Sequence, residues 1–232
     1  MQKTYNNIIT GIKQYFNQNN INKAVIGLSG GIDSALSLKL VADAIGNKNI
    51  VAWIMPEKGL TKKSNVDDSI NLCNLLKIEY NILPINSFLK NFNNLKQNKI
   101  SWINLKPRVR AIILYNQANL NNALVIGTSN KTELKLGYFT KYGDGACDLE
   151  VIGSLYKTKV WQLSKFLKLP EEIINKKPTA ELYPGHSDES EIGLKYSEID
   201  DMLKGKKKLS LKLKKLIDKN KHKTCPVPII KK

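Results

Sequence analysis

The fold of this chain is decided by the stretch AVIGLSGGIDS at residues 24–34. Its first five residues form an apolar run, typical of a buried β-strand, which ends in a turn rich in glycine and serine. The segment ALSLKLV at residues 35–41 then predicts a helix. A strand, a glycine-rich turn and a helix in this order favour an α/β fold.

The turn has the composition of a phosphate-binding loop. Glycines let the backbone turn tightly and expose its N–H groups, and a helix that begins there directs its positive dipole end at an anion. A Walker A loop is excluded, because no Gly-Lys-Ser/Thr follows at the required spacing. Ser29 and Ser34 supply hydroxyls, and Asp33 supplies a carboxylate for a cation beside phosphates. The alternative interpretation is an ordinary glycine-rich turn.

Strands and helices alternate along the rest of the chain. The pattern predicts helices near 4–18, 34–45, 64–76 and 107–119, and strands near 24–28, 50–55, 80–83 and 123–127. Continuous apolar strands separated by helices predict a parallel sheet covered on both faces. Ligands bind such sheets at the carboxyl ends of the strands, so the turns at Ser29 and Thr128 are expected on one edge.

Composition limits the class of protein. The 232 residues, 42% of them hydrophobic, are enough for one globular α/β domain, and no apolar run has the length of a membrane span. The N-terminus does not resemble a signal peptide. Cys73, Cys147 and Cys225 are widely spaced, which argues against a disulfide framework or a zinc site. We therefore expect a cytoplasmic protein with no membrane partner.

The net charge of +17 raises the question of nucleic-acid binding. Of the 37 basic residues only Arg108 and Arg110 are arginines, and this lysine bias indicates a general compositional trend rather than a nucleic-acid surface. Arginine has a planar fork that grips phosphate or carboxylate, so Arg108, near the predicted helix start at Pro107, is a candidate ligand contact. The alternative is a pair of surface cations.

A second polar cluster, GTSNKTE, follows the strand at 123–127. Thr128 comes directly after the strand and could line a nucleotide pocket. Glu133 has two interpretations: a capping-box carboxylate that serves Asn130, or a magnesium ligand that acts together with Asp33.

Further motifs follow in order, and together they carry a resemblance. They are GYFTKYGDGACD at 137–148, KPTAEL at 177–182, SDE at 187–189, YSEIDD at 196–201 and HK at 222–223. With the loops at 29–34 and 127–130, this ordered set resembles the ammonia-dependent NAD synthetases, a family of ATP pyrophosphatases. The resemblance covers nearly the whole chain.

The resemblance implies a set of site residues. The ATP phosphates would lie on Gly27, Leu28, Ser29, Gly30, Gly31, Ile32, Asp33 and Ser34, with further ATP contacts from Thr128, Lys157 and Thr179. Asp33 and Glu133 would bind Mg²⁺. Deamido-NAD would contact Arg108, Lys141, Asp144, Asp148, His222 and Lys223. Taken alone, Lys157 reads as a solvated lysine, Thr179 as a helix N-cap and His222 as a surface residue.

It also implies the fold, the reaction and the assembly. The fold would be a Rossmann-like parallel sheet of the adenine nucleotide alpha hydrolase type. One domain would span 1–232, with a nucleotide-binding core at about 22–170 and a mobile loop and helical tail at about 180–232. ATP would adenylate the nicotinate carboxylate of deamido-NAD, and ammonia would then displace AMP. The loop at 183–190 would close over the adenylate, and the protein would be a homodimer.

Free ammonia is the expected nitrogen donor, since the synthetase motifs leave no room for an amidase domain. Two rival hypotheses stay open from the residues alone. One is an ATP pyrophosphatase that modifies tRNA, although thiolating members need paired cysteines. The other is a basic nucleotide- or RNA-binding protein without catalysis.

Overall fold

The computed structural model describes residues 1–179 and 187–230. Within these residues the centre of the molecule is a five-stranded sheet with the order β3-β2-β1-β4-β5. All four strand pairs are parallel. The strands are β1 Lys23–Leu28, β2 Ile50–Ile54, β3 Glu79–Ile82, β4 Ala123–Gly127 and β5 Leu149–Glu150. The expected α/β fold with a parallel sheet is confirmed.

Eleven α-helices surround the sheet in the described part of the chain. They are α1 Gln2–Gln18, α2 Ile32–Ile45, α3 Lys63–Leu76, α4 Asn86–Lys90, α5 Lys99–Asn121, α6 Lys131–Leu136, α7 Lys157–Phe166, α8 Glu171–Ile174, α9 Asp188–Ile192, α10 Tyr196–Leu203 and α11 Leu211–Thr224. Not one of these helices has both the length and the apolar character needed to cross a bilayer.

Both faces of the sheet are buried, because successive residues of a strand point to opposite faces. Ala24 and Ile26 of β1 belong to a large apolar core that includes residues of α1, α2, α3 and α7. Val25 faces the other way and packs with Ala118 of α5. A third cluster joins α6 to α9, α10 and α11.

The order of the strands creates a ligand-binding edge. From β1 the chain adds β2 and β3 on one side and then returns to place β4 on the other side of β1. Adjacent parallel strands whose connections run in opposite directions leave a crevice at their carboxyl ends. The loops after Leu28 and after Gly127 lie at this crevice, as the sequence predicted.

The prediction for α5 was wrong at its start. The helix begins at Lys99 rather than at 107, and Pro107 lies in its interior. Asn98 and Ser101 form a reciprocal capping box that fixes this earlier start. Pro107 removes one backbone hydrogen bond from the helix but does not end it, since the remaining ladder and the packing of α5 on the sheet continue past it.

Two further differences concern short segments. The strand β5 has only two residues and gave no periodic signal. Of the mobile loop expected at 183–190, residues 183–186 lie outside the described residues, and Ser187 is the N-cap of α9. The backbone N–H of Asp188 donates to the carbonyl of Pro178 at 3.2 Å, so the described chain on either side of 180–186 lies close together.

Candidate active site

The loop at 29–34 closes on itself through its two serines. Ser29 Oγ lies 3.1 Å from Ser34 Oγ, and the Ser34 hydroxyl also donates to the carbonyl of Gly31 at 3.1 Å. Gly31 is the N-cap of α2 and has no side chain to cap the helix. The first N–H groups of α2 are therefore directed at the crevice, where they are suited to an anion.

Gly30 lets this loop lie against the backbone of α3. Its φ of +75° is in the left-handed region, and a Cβ built on it would lie 2.3 Å from the carbonyl oxygen of Asn65. Lys176 also joins the loop to α3, because its ammonium donates to Gly30 O at 2.8 Å and to Asn65 Oδ1 at 2.6 Å. Lys176 was missed by the sequence analysis, although it stands directly before the motif at 177–182.

Lys157 lies between the two carboxylates expected to bind magnesium. Its ammonium donates to Asp33 Oδ2 and also to Glu133 Oε1, the latter at 3.4 Å. The Lys157 side chain is only 2% exposed. Asn130 Nδ2 donates to the other oxygen of Asp33 at 2.9 Å. The structure thus joins three predicted site residues from β1–α2, α6 and α7 in one cluster, and the reading of Lys157 as a solvated lysine is wrong.

Both interpretations of Glu133 meet in this geometry. Its Oε2 accepts from the Asn130 N–H while Asn130 Oδ1 accepts from the Glu133 N–H, which completes a capping box at the start of α6. The other carboxylate oxygen, Oε1, faces Lys157. The cap fixes the carboxylate in place, so the structural role and a role at the cation site are compatible.

Burial and charge act in opposite directions on the ionisable groups of this cluster. Two carboxylates share one ammonium in a buried site. Burial raises the pKa of the Glu133 carboxyl to about 8; Lys157 opposes the rise, and the nearby charge of Asp33 adds to it. Burial alone would lower the pKa of Lys157, but Asp33 and Glu133 raise it above its ordinary value. The ammonium therefore stays charged.

Two aromatic rings lie near the Lys157 ammonium. Its Nζ lies 5.1 Å from the centroid of Tyr196 and 5.9 Å from that of Trp161, within cation–π range. The Tyr196 hydroxyl donates to Asp188 Oδ2 at 3.2 Å. Neither aromatic residue was predicted, although Tyr196 belongs to the motif at 196–201.

Four of the predicted deamido-NAD residues lie in one connected group. Arg108 Nε donates to the carbonyl of Lys141 at 3.3 Å, and the Lys141 ammonium donates to the carbonyl of His222 at 2.9 Å. Lys223 donates to Gly137 O at 2.9 Å and to Phe139 O at 2.8 Å, where burial lowers its pKa. Arg108 and His222 are exposed. This group joins α5, the loop at 137–148 and the end of α11.

Of the two remaining residues of that set, Asp144 lies in the same loop, where its charge acts on Lys223, whereas Asp148 lies apart from the group. Asp144 Oδ1 accepts from the N–H of Thr140 at 2.9 Å and so shapes the loop. Asp148 accepts from the Val125 N–H at 2.8 Å and from the Tyr115 hydroxyl at 3.2 Å. Asp148 and Tyr115 line a cavity of about 300 Å³ near the amino end of β4, at the opposite edge from the phosphate loop. The described chain therefore does not bring Asp148 to the Lys157 cluster.

The two predicted threonines have simpler placements. Thr128 is half-buried and directly follows β4, at the crevice. Thr179 is also half-buried and is the last residue described before the gap at 180–186. The second half of the motif KPTAEL, residues 180–182, lies outside the described residues.

The chain is similar to known proteins over most of its length. A family model described as NAD synthase matches residues 4–227. The NH(3)-dependent NAD(+) synthetase of Archaeoglobus fulgidus is 44% identical over 214 residues, which cover 88% of this chain and 87% of that protein.

Two solved structures have the same fold. An NMN synthetase from Francisella tularensis has a TM-score of 0.90 and 33% identity, over 99% of this chain and 98% of that one. An NH3-dependent NAD synthetase from Campylobacter jejuni has a TM-score of 0.81 and 37% identity, over 99% of each chain.

Proposed function

The chain belongs to the NAD synthase family, and we propose that it is an ATP-dependent ligase that amidates deamido-NAD with ammonia to give NAD. One observation carries the proposal: the Lys157 ammonium lies between the carboxylates of Asp33 and Glu133, beside the loop at 29–34. The ammonium of such a site can bind phosphates, and its fixed carboxylates can bind the metal ion that accompanies them. This combination suits a nucleoside triphosphate.

ATP binds with its phosphates on the loop Gly27–Ser34. The N–H groups at the start of α2 and the ammonium of Lys157 supply positive potential there, and Lys176 holds the loop in shape. Thr128 and Thr179 complete the ATP contacts. The half-buried positions of both threonines, one at the crevice and one three residues after Lys176, support this assignment.

Asp33 and Glu133 are suited to hold Mg²⁺. Both carboxylates lie beside a single ammonium, and burial is the main cause of the raised pKa of Glu133. In the described residues no group of three or more His, Cys, Asp or Glu side chains is arranged for a metal, so oxygens of ATP would complete the ligand shell. When bound, the ion would neutralise negative charge on the phosphates.

The reaction has two steps. The nicotinate carboxylate of deamido-NAD attacks the α-phosphate of ATP, and pyrophosphate leaves. Ammonia then attacks the acyl carbon of the adenylate, AMP leaves with the C–O electron pair, and loss of a proton from nitrogen gives the amide. We assign no covalent nucleophile to the protein. Lys157 and the N–H groups of the loop act by position and charge on the phosphates.

Deamido-NAD contacts Arg108, Lys141, Asp144, Asp148, His222 and Lys223, and the active form is a homodimer. The split of these residues between two edges of the sheet supports a ligand that extends along α5. The exposed apolar residues of α5 support the dimer, because Ile112 is 66% and Leu120 is 77% exposed on the helix that also carries Tyr115.

A second candidate function is amidation of nicotinate mononucleotide, which lacks the adenylate half of deamido-NAD. The observation that favours it is the TM-score of 0.90 to an NMN synthetase. The higher sequence identity to the ammonia-dependent NAD synthetases, 44% and 37%, favours deamido-NAD.

One assay tests both candidates. The purified chain is incubated with ATP, Mg²⁺ and ammonium, with either deamido-NAD or nicotinate mononucleotide, and AMP and the amide product are followed. We expect kcat/KM to be at least about tenfold higher for deamido-NAD, equivalent to about 1.4 kcal/mol of transition-state binding. The opposite order would identify an NMN synthetase, and no AMP with either acid would refute both functions.

The cytoplasmic location, the single domain over 1–232 and the closing role of the loop at 183–190 stay predictions.

A further inference from the structure

Asp200 is a buried carboxylate outside the site described above. It lies on α10, within the motif YSEIDD, and is 0% exposed. Its Oδ1 accepts from the Thr132 hydroxyl at 2.5 Å. Its Oδ2 accepts from both the N–H and the hydroxyl of Thr158, at 2.9 and 2.7 Å. The ammonium of Lys204, one turn along α10, is 4.0 Å away. Three donors at these distances offset much of the cost of burying the charge.

The two threonines are chain neighbours of the two residues that meet at the cation site. Thr132 precedes Glu133 in the first turn of α6, and Thr158 follows Lys157 in the first turn of α7. One carboxylate therefore fixes the start of both helices.

Asp200 also replaces the missing cap of α7. Tyr156, the N-cap of α7, makes no side-chain cap. The first N–H, that of Lys157, donates to Thr132 Oγ1 at 3.0 Å, and this hydroxyl in turn donates to Asp200. The next N–H, that of Thr158, donates directly to Asp200. Since these N–H groups have no partner inside the helix, Asp200 sets where α7 begins and hence where Lys157 stands.

The same face of α10 also contacts the other end of Lys157. Tyr196 lies four residues before Asp200, on the same side of the helix, and is 1% exposed. Its ring lies 5.1 Å from Lys157 Nζ. Helix α10 thus holds the backbone of Lys157 through Asp200 and the ammonium through Tyr196.

We propose that Asp200 is a positioning residue of the ATP site, which sets the distance between Glu133 and Lys157 through Thr132 and Thr158. The proposal rests on the proposed function in so far as these two residues serve ATP. It gives the motif YSEIDD a role: α10 lies after the gap at 180–186 and connects this C-terminal part of the chain to the cation site.

The test compares Asp200→Asn with Asp201→Asn. The neighbour Asp201 is a matched control, because it is partly exposed and its nearest cation, Lys206, is 3.9 Å away. Asn has the size and shape of Asp, but in Asp200→Asn the amide N–H₂ must face one of the donor groups. That hydrogen bond is lost, so Thr132 or Thr158 must shift. We expect the Kd of ATP with Mg²⁺, measured by calorimetry, and the KM for ATP to rise at least about tenfold. The KM for deamido-NAD should stay within about twofold, and Asp201→Asn should match the wild type.

A second pair of variants covers the case in which Asp200→Asn does not fold. Thr132→Val removes the hydroxyl between Asp200 and the Lys157 N–H, and Thr132→Ser restores it. We expect Thr132→Val to weaken ATP binding and Thr132→Ser to recover it. A lower melting temperature with the Kd and KM for ATP within twofold of wild type would overturn the proposal. So would an equal effect on ATP and deamido-NAD. A wild type that binds ATP but forms no NAD would refute the proposed function, while the ATP affinities would still decide the role of Asp200.

Discussion

At the scale of single residues, Gly30 is where a side chain is least tolerable in the site. Its positive φ and the 2.3 Å approach of the Asn65 carbonyl to a Cβ leave no room for one. We expect Gly30→Ala to lower the free energy of unfolding by about 1–3 kcal/mol and to weaken ATP binding at least about tenfold, because the loop must move away from α3. Chemical denaturation and calorimetry measure the two effects.

Gly11 provides the matched control for that substitution. It lies on the exposed face of α1 with no atom within 4 Å of a built Cβ. Gly11→Ala should raise stability by about 0.5–1 kcal/mol, since alanine loses less backbone entropy in a helix. If Gly30→Ala behaved like Gly11→Ala, the assigned contact with Asn65 would be wrong.

Glu133 predicts a pH dependence of stability in the absence of metal and ATP. The folded protein holds the Glu133 proton more tightly than the unfolded chain, with a pKa of about 8 against an ordinary 4.5. Ionisation therefore opposes folding as the pH rises through that window. Glu133→Gln keeps an acceptor for the Asn130 N–H but has no proton to lose.

The melting temperature of Glu133→Gln relative to wild type should thus increase from pH 5 to pH 8. Thermal scans across that range measure it, with the exposed Glu172→Gln as a control for general charge effects. A constant or falling difference would show that Lys157 compensates the Glu133 charge fully.

The residues of the site differ in how far the sequence could reveal them. Asp33 and Ser34 stand in a local motif, so their roles follow from neighbours along the chain. Lys157 meets Asp33 across 124 positions, and no periodicity carries such a contact. The family resemblance predicted Lys157 as an ATP contact, but it did not predict that Lys157 lies between two carboxylates. Asp200 contacts the starts of two helices and Lys176 contacts the loop at Gly30, and only the folded chain brings these segments together.

At the scale of elements, the start of α5 is the clearest departure from the predicted pattern. The proline at 107 favoured a start there. The capping box of Asn98 and Ser101 was equally present in the sequence, but it precedes a segment without strong apolar period. The cap and the packing against the sheet outweighed the local propensity of Pro107 to start a helix. For the helices with clear apolar periodicity, the predicted boundaries were correct to within a few residues.

The cap at Asn98 gives a test of this earlier start. Asn98→Ala removes the acceptor for the Ser101 N–H, and we expect it to cost about 0.5–2 kcal/mol of stability. Asn94→Ala, at an exposed position before the helix, is the control and should change stability by less than about 0.5 kcal/mol. Equal effects of the two substitutions in urea unfolding would argue that α5 does not begin at Lys99 in solution.

At the scale of the whole molecule, the exposed apolar residues of α5 predict that the protein forms a dimer through this helix. We expect Leu120→Lys to convert a dimer into a monomer, because burying a lysine at a subunit interface costs free energy. Since the dimer is the proposed active form, the KM for deamido-NAD should also rise. Sedimentation velocity measures the mass. Leu75→Lys, on α3 at 63% exposure, is the control. A wild type that sediments as a monomer, or a Leu120→Lys variant that stays dimeric, would remove α5 from the interface.

The strand order also affects how the chain folds while it is synthesised on the ribosome. Leu124 of β4 pairs beside Ala24 of β1 and follows it by one hundred positions, which take roughly 5–20 s to synthesise at ordinary translation rates. During that interval β1 can pair with β2, while its other edge has no partner from the nascent chain. An open apolar edge of this kind invites pairing with another nascent chain. Slowed synthesis before residue 123 should therefore lower the yield of native protein more than slowed synthesis after residue 150.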